Sequence, residues 1–415
     1  MTSALHWLEP LRSSVPELDQ AAWERLHRLS GQLGELAATV PHAADQPIRS
    51  RWLLGIRRHL AGCVHHAPCD PVAGAVWHTL AQFCAGFHDL DLRDAIGPGH
   101  GVMILTEATR STGERWRSRL DRGELVGIAA TEWRGGSRLQ EMTARATLDR
   151  DGRWRITGKK VWVSRLVESS AFVVFFRAPD DQITAGLVDA ADPALHREMV
   201  EPFGLAGWSW GSLQFHGVSF DPTADLIGAA GDGLGVFRRH FSRFRPLVTA
   251  TALGAAAGVH GFTTTVLAAK LTAGALPRIR DNALITLGRT HAEITAALLS
   301  ALTTSRLAAM GHPSADLSAR LGKAAGVDVA YRAVTDLAPL LGAAGFQRNS
   351  QIAKARADLT GLLYADGIHD SLYRSGGRSL MCQRSPVAEP AAVQHDLMSA
   401  GHRNMSQQTR LPSSR

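Results

Sequence analysis

Hydrophobic positions recur with helical spacing at both ends of the chain and with shorter, alternating spacing in the middle. Apolar residues at i, i+3 and i+4 predict N-terminal helices over 20–37, 49–63 and 73–87. Longer, alanine-rich helices are predicted over 237–271, 280–310, 318–341 and 350–363. In between, short strands are clearest over 172–176, 185–188, 213–215 and 218–220. The pattern predicts an α+β multidomain protein.

These changes of pattern divide the chain into four segments. We expect an N-terminal helical domain over 1–125, a β-domain over 126–235 and a C-terminal helical bundle over 236–384. The remaining segment, 385–415, is rich in Pro, Ser, Gln and Arg, and this composition predicts a disordered tail.

Composition and charge narrow the classes of function. The 415 residues are 45% apolar, enough for a large core, and no apolar run approaches the roughly 20 residues of a membrane span, so we expect a cytoplasmic protein with no membrane partner. The net charge of +7 comes without a basic stripe interleaved with aromatics, which argues against nucleic acid and favours anionic small molecules or an acidic carrier protein.

The four cysteines are too few and too scattered for a disulfide framework in a chain of this size. Soft ligands do come close together between Cys63 and Cys69, where His65 and His66 also lie. Their spacing matches no common zinc pattern, so we expect no metal site.

The stretch 127–178 carries the most specific chemistry. A short strand runs into a glycine-containing turn over 132–137, suited to place backbone N–H groups around a polar ligand. A β-hairpin is predicted around Asp151-Gly152, and 158–160 is predicted to break it. Trp162 and Ser164, two residues apart, would share one face of a strand, where one stacks on a flat ring and the other binds its edge. The alternative is an ordinary core tryptophan of a β-barrel.

This stretch resembles the middle domain of the acyl-CoA dehydrogenase family. Its T-E-P-x-A-G-S-D turn is matched by Thr131, Glu132, Gly136 and Ser137, and its W-[IV]-[TS] strand by Trp162, Val163 and Ser164. The resemblance implies a central β-barrel domain between a helical domain and a C-terminal four-helix bundle, with FAD as cofactor. Thr131, Trp162 and Ser164 would contact the isoalloxazine and Ser137 the pyrophosphate. Trp133 and Arg138 depart from the motif.

Further contacts implied by the family lie in the second half of the chain. Lys270 and the glycines Gly342 and Gly345 occupy the places from which a neighbouring subunit completes the flavin site, so we expect a homodimer or homotetramer. Trp208 and Trp210 stand where the family has small residues, and would bind substrate by reshaping the acyl site. The alternative is that both are packing residues.

The segment that should carry the catalytic carboxylate departs most from the family's motif. The family's base is the glutamate of Y-E-G-T, and here Asp366 replaces it when the glycines are aligned, whereas Ala365 does when the tyrosines are. A minority branch has its glutamate before an arginine on the first bundle helix, but this chain has Phe244-Arg245. Asp366 is therefore the predicted base for α,β-dehydrogenation of an acyl thioester of CoA or an acyl carrier protein, with an electron-transfer partner.

A second resemblance competes with the first. The stretch around His369, Asp370 and Arg374 is similar to that of flavin-dependent monooxygenases of the same fold, in which a histidine lies near the reactive edge of reduced flavin supplied by a flavin reductase. Two further alternatives stay open: Asp366 and His369 cap the last helix, or the chain is a catalytically silent paralogue.

Overall fold

The N-terminal quarter is helical. The computed structural model describes residues 3–40, 45–61, 67–134 and 138–384. The helices are α1 (Ala4–Leu8), α2 (Gln20–Ala37), α3 (Gln46–Leu60), α4 (Pro71–His88), α5 (Val102–Glu107) and α6 (Arg110–Asp121), with 3-10 turns at Glu9–Ser14, Leu90–Asp94 and Gly99–Gly101. The three predicted helices are confirmed as α2, α3 and α4, to within three residues at each end. The predicted tail, 385–415, and Cys63 lie outside the described residues.

Helix α4 shows why these elements form where they do. The Asp70 carboxylate accepts hydrogen bonds from the backbone N–H groups of Val72 and Ala73, and Pro71 occupies the first turn, where no intrahelical N–H partner is needed. The helix ends at Asp89, whose backbone is extended. Most of its residues are buried, so α4 is a core helix.

The middle of the chain forms one mixed sheet. Its strands are β1 (Leu125–Ala129), β2 (Arg145–Leu148), β3 (Trp154–Ser164), β4 (Ser169–Arg177), β5 (Ile183–Asp189), β6 (Leu195–Val200), β7 (Trp210–Phe220) and β8 (Leu226–Ile227). Their order is β6-β7-β3-β2-β4-β5-β8, with β1 parallel to β4. The predicted β-domain is confirmed, but the strand pairs describe an open path from β6 to β8 and do not show a closed barrel.

Strand β3 is longer than predicted. The hairpin around Asp151-Gly152 is confirmed, since β2 and β3 pair antiparallel and Gly152 has a φ of 75°. The predicted break at 158–160 is wrong, because β3 continues to Ser164 and pairs with β7 over most of its length. Gly158 accommodates the local irregularity with a φ of 136°, and a Cβ there would lie 2.7 Å from Ala144.

The C-terminal region is a bundle of helices. These are α7 (Gly233–Thr272), α8 (Asp281–Ala309), α9 (Ala315–Leu337), α10 (Gln351–Leu362) and α11 (His369–Arg384), with a 3-10 segment at Ala338–Phe346. The four predicted helices are confirmed as α7 to α10, although the third is shorter because its last residues form the 3-10 segment. Helix α11 adds a fifth member that packs on α9.

Small residues allow α7 to pack closely against α4. A Cβ on Gly86 would lie 2.0 Å from the Thr251 carbonyl oxygen, and one on Gly254 would lie 2.1 Å from that of Phe83. By length and composition α7 could cross a membrane, with a mean hydropathy of 1.3 in its most apolar window. That window is 61% buried inside the protein, and a buried core helix meets the same criteria.

A buried charge network joins the three regions. We call it the acidic network, and its members are Asp89, Asp91, Asp358, Arg49 and Lys354. Asp358 on α10 also accepts a hydrogen bond from the Leu205 backbone N–H in the sheet region, at 2.8 Å. The network therefore contacts the N-terminal helices, the loop before β7 and the bundle at one point.

Candidate active site

The turn between α10 and α11 presents Asp366 to the interior. Asp366 has a φ of 56° and the next residue, Gly367, a φ of 116°, so the chain reverses sharply here. The Asp366 side chain is 11% exposed, and its Oδ2 lies 3.3 Å from Nη1 of Arg93. Its backbone carbonyl accepts a hydrogen bond from Nε of Arg245 on α7, at 3.2 Å. Two arginines thus fix the position of the predicted base.

Lys323, on α9, also holds the turn that carries Asp366. Its ammonium group, fully buried on α9, donates to the carbonyl oxygens of Leu362, at 2.6 Å, and Gly367, at 2.7 Å. Burial lowers the pKa of Lys323 to about 7, and Arg245 and Arg93 add to that effect while Asp366 opposes it. The sequence analysis missed this residue. Its signal was a lone lysine inside a run of small apolar residues on α9.

Three buried arginines surround two carboxylates at this place. We call Arg93, Arg165, Arg245, Asp94 and Asp366 the arginine cluster. Arg165 has a φ of 56°, and its Nη1 lies 2.5 Å from Oδ1 of Asp94. Burial raises the pKa of Asp94, but Arg165 and Arg93 outweigh it and lower that pKa overall. Within the described residues, Nε and Nη1 of Arg165 lack a hydrogen bond of acceptable geometry.

His369 is held as a packing residue at the start of α11. Its Nδ1 faces the Leu363 carbonyl oxygen at 3.0 Å, and its Nε2 faces the Ala324 carbonyl oxygen at 2.9 Å and the Asp328 carboxylate at 3.1 Å. Both ring nitrogens are therefore already occupied by protein acceptors. These carbonyl oxygens belong to the end of α10 and to α9, so the contacts do not cap α11, and both the capping and the monooxygenase roles of His369 stay predictions.

The Thr131 end of the predicted flavin turn is anchored by Glu132. The Glu132 carboxylate accepts from the backbone N–H groups of Thr143 and Ala144 and from Nζ of Lys160, at 2.7, 3.0 and 2.8 Å. Burial raises the pKa of Glu132, but Lys160 and the hydrogen bonds outweigh it and lower that pKa to about 2. The Thr131 carbonyl oxygen accepts from the Val161 N–H at 2.9 Å, which brings Thr131 beside β3. Ser137 lies outside the described residues.

Trp162 stands out of strand β3. It has a φ of 58°, its indole is 64% exposed, and the pairing of β3 with β7 shifts between Lys160 and Val163. Ser164 is only 8% exposed. The prediction that the two side chains share one face assumed a regular strand. The bulge instead gives them different environments, because a left-handed residue breaks the alternation. An exposed indole on a fixed bulge fits a flat ring system.

Trp208 and Trp210 occupy packing positions. Nε1 of Trp208, which is 3% exposed, donates to the Asp91 carbonyl oxygen at 3.1 Å. Nε1 of Trp210 donates to the Leu205 carbonyl oxygen at 2.9 Å. Neither lines the large cavity described below. The contacts therefore favour the packing alternative, and substrate binding by the two indoles stays a prediction.

Lys270, Gly342 and Gly345 lie in the bundle, apart from the residues above. Lys270 is near the end of α7, and the two glycines are in the 3-10 segment before α10. Gly342 has a φ of 62° with open space around it, whereas a Cβ on Gly345 would lie 2.5 Å from the Ala338 carbonyl oxygen. Their role in a neighbouring copy's flavin site stays a prediction.

A cavity of about 480 Å³ adjoins the arginine cluster. Its walls come from α4, the loop before α5, α7 and α8, and they include Arg93 and Asp94 at the cluster. A cavity of this size holds a small organic molecule. Arg93 lines the cavity and also pairs with Asp366, so the Asp366 carboxylate is one residue away from a ligand-sized space.

Comparisons with known proteins agree with this architecture. The acyl-CoA dehydrogenase middle-domain model matches residues 127–218 and the C-terminal-domain model matches 231–381, together more than half of the chain. Benzylmalonyl-CoA dehydrogenase of Aromatoleum aromaticum is 31% identical over 139 residues, which are 32% of this chain and 36% of that protein. The match thus spans about a third of the length of this relative.

Solved structures share the fold at lower identity. Butyryl-CoA dehydrogenase from Megasphaera elsdenii has a TM-score of 0.73 at 20% identity, covering 88% of this chain and 99% of that one. A glutaryl-CoA dehydrogenase from Mycobacterium smegmatis in complex with FADH2 has a TM-score of 0.74 at 19% identity, and the match covers 93% of this chain and 100% of that one. A prolyl acyl carrier protein oxidase has a TM-score of 0.71 at 15% identity, and the match covers 88% of this chain and 99% of that one. The chain belongs to the acyl-CoA dehydrogenase superfamily of flavoprotein oxidoreductases.

Proposed function

We propose that this protein binds FAD and dehydrogenates the acyl group of a thioester between its α and β carbons, with Asp366 as the base. The observation that carries the proposal is the position of Asp366. Its turn is held by Arg245 and Lys323, and its carboxylate lies against Arg93, which borders the cavity. A base for an α-proton needs such a fixed carboxylate beside a space that can hold the acyl chain.

The residues present fit a flavin. Trp162 offers an exposed indole face on a bulge of β3, and the Thr131 carbonyl oxygen accepts from the Val161 N–H beside it. Ser164 is two residues further along β3 and is buried, so its hydroxyl would reach the flavin from the inner side of the bulge. We infer that these three hold the isoalloxazine and that Ser137 binds the pyrophosphate of FAD. Bound FAD supplies the acceptor for the hydride that leaves the β-carbon.

Residues of this chain accept the α-proton and hold its acceptor in place. The α-proton passes to the Asp366 carboxylate, and the electron pair of that C–H bond becomes the new C=C bond as the β-hydride departs. Arg93 balances the charge of Asp366 before the proton arrives. Arg245 and Lys323 prevent the turn from moving, because each binds a backbone carbonyl of the reversal itself.

The partners follow from the same proposal. The thioester would be carried by CoA or an acyl carrier protein, and an electron-transfer protein would accept the electrons removed from the acyl group. We also propose a homodimer or homotetramer in which Lys270, Gly342 and Gly345 approach the flavin of a neighbouring copy. Exposed apolar side chains near these positions support this assembly; they are Leu271, Leu284, Ile285 and Phe346.

The test is an anaerobic visible spectrum of the FAD-loaded protein before and after adding a panel of acyl-CoA thioesters. Bleaching of the oxidised flavin band is expected with at least one thioester. Asp366→Asn should slow bleaching by at least about 100-fold while leaving FAD content unchanged, because the base is lost but the binding residues remain.

Asp370→Asn is the matched control, since this exposed aspartate lies four residues further along the chain. It should bleach at the wild-type rate. Bleaching that survives Asp366→Asn would rule out the role of Asp366, and FAD binding without bleaching by any thioester would contradict the dehydrogenase proposal.

A further inference from the structure

The 480 Å³ cavity runs along one side of α4, from the arginine cluster toward the surface. Gly74, His78 and Gln82 line it at successive turns of the helix. Gln82 marks the inner end, because its amide donates to the carbonyl oxygen of Arg93 at 2.8 Å. Asp70, whose carboxylate caps the first turn of α4, lines the outer end. A rise of 1.5 Å per residue from Asp70 to Gln82 gives a path of about 18 Å.

The two ends of this path differ in exposure to solvent. Gln82 and Arg93, at the inner end, are each 8% exposed. His78, nearer the start of α4, is partly exposed, and Cys69 and Asp70 at the outer end are exposed. The cavity is therefore closed around the arginine cluster and opens to solvent at the start of α4.

The buried polar side chains at the inner end are already bonded to other protein groups. Gln82 accepts from Oγ1 of Thr251 at 2.9 Å, and Arg93 pairs with Asp94 and Asp366. Apolar side chains also line the cavity; they are Ile96, Phe244, Leu247, Val248 and Ala308. Such a wall suits a hydrocarbon chain, which gains from burial and leaves no polar group of this wall without its partner.

The position of the base fixes the direction of a bound acyl chain. In the proposed function the α-carbon lies at Asp366, whose partner Arg93 belongs to the inner end of the cavity. The rest of the chain then extends along α4 toward Cys69. Because this end is open, the depth of the cavity does not limit the length of the chain.

We propose that the substrate is a long-chain acyl thioester whose distal carbons pass Cys69 and reach solvent at the start of α4. The inference rests on the proposed function and narrows its substrate class. Each methylene that the wall buries strengthens binding by roughly fourfold, so a chain that fills the cavity binds more tightly than a short one. Carbons beyond the opening stay in water and add nothing to affinity.

The test uses the free thiol of Cys69 to detect the end of the chain. Pantetheine amides of hexanoate and tetradecanoate, which lack the oxidisable thioester, are added to the FAD-loaded protein at concentrations that saturate binding in titration calorimetry. Alkylation by iodoacetamide is then followed by mass spectrometry. The tetradecanoyl amide should slow alkylation of Cys69 at least about tenfold, because its chain covers the thiol, and the hexanoyl amide should leave the rate within about twofold.

A second thiol in the same sample is the control for alkylation. Cys382 is free and exposed on α11, outside the cavity lining. Its rate should be the same with either amide and without ligand, so a general effect of the amides on the reagent or on the protein would be visible there.

A variant within the cavity tests the path of the chain. Ala75→Phe places a large ring in the lining one turn from the start of α4. It should weaken binding of the tetradecanoyl amide at least about tenfold and change that of the hexanoyl amide by no more than about twofold. Ala296→Phe is the matched control, because this alanine is exposed on α8 and outside the lining. It should bind both amides as the wild type does.

Three results would overturn the inference: alkylation of Cys69 that neither amide slows or that both slow equally, equal affinity for the two amides, or unchanged binding of the tetradecanoyl amide by Ala75→Phe. If thioesters still bleach the flavin in any of these cases, the proposed function stands without it. If the tetradecanoyl amide protects Cys69 but no thioester bleaches the flavin, the cavity binds the chain and the proposed dehydrogenation is wrong.

Discussion

The acidic network and the arginine cluster are built from the same kinds of residue but differ in charge balance and in the space beside them. The acidic network has three carboxylates and two cations. The arginine cluster has three arginines and two carboxylates. The cavity next to the former is only about 20 Å³, room for roughly one water, whereas the latter borders the 480 Å³ cavity.

The pKa values of two buried lysines differ between the acidic network and the arginine cluster. Burial lowers the pKa of Lys354, but the carboxylates of the acidic network outweigh it and raise that pKa overall. Burial also lowers the pKa of Lys323, and there the neighbouring arginines act in the same direction. Buried charge alone therefore does not mark a site. A buried cluster with unbalanced charge marks a candidate site when it borders a ligand-sized space, because a ligand or a reacting group can then enter and interact with that charge.

The largest effect on stability is expected in the acidic network. Lys354→Met removes the cation shared by Asp89, Asp91 and Asp358 and leaves buried carboxylates with Arg49 as their remaining counter-charge within the network. We expect the free energy of unfolding to fall by about 4 kcal/mol, measured by urea denaturation.

Lys159→Met is the control for that change, because Lys159 is half exposed and pairs with an exposed glutamate. It should cost less than about 1 kcal/mol. Equal losses for the two lysines would mean that the acidic network does not join the three regions as described.

An intermediate effect is expected from the titration of Lys323. Its folded pKa, about 7, is below the ordinary value of 10.5, so the unfolded chain binds more protons between these values and stability rises with pH across this window. From pH 7 to pH 9 the free energy of unfolding should rise by about 2 kcal/mol more in the wild type than in Lys323→Met.

Urea denaturation at matched ionic strength gives both curves. Parallel curves for the wild type and Lys323→Met over this range would show that the lysine is not titrating near neutrality, and would remove the evidence for surplus positive charge around the turn.

The smallest effect on stability is expected from Arg165→Met. Asp94 keeps Arg93 as a buried partner when Arg165 is replaced, so no carboxylate of the arginine cluster is left without a cation, and an apolar side chain of similar length fills the space. We expect a loss of about 1 kcal/mol or less in urea denaturation.

Arg110→Met, at a fully exposed arginine on α6, is the reference for an unimportant charge. If Arg165→Met lowered the free energy of unfolding as much as Lys354→Met, the arginine cluster would contribute to stability as strongly as the acidic network does.

Much of the fold was predictable, because it depends on local periodicity. The helical spacing in α2 and α4 and the alternation around Asp151-Gly152 each describe one element and its near neighbours. The candidate site residues Trp162 and Asp366 came from short family motifs, and their roles stay predictions. Errors occurred where a single backbone angle overrode the pattern, as at Gly158 and Trp162.

By itself, the sequence determined the order of helices and strands, the family and the candidate base, since each is encoded in neighbouring residues or short motifs. Only the tertiary structure decided that Arg93 meets Asp366 across 273 positions, that Lys323 holds the same turn, and that His369 packs against backbone carbonyls. The physical reason is that burial and charge pairing arise between segments far apart in the chain, and no local pattern specifies which side chains meet.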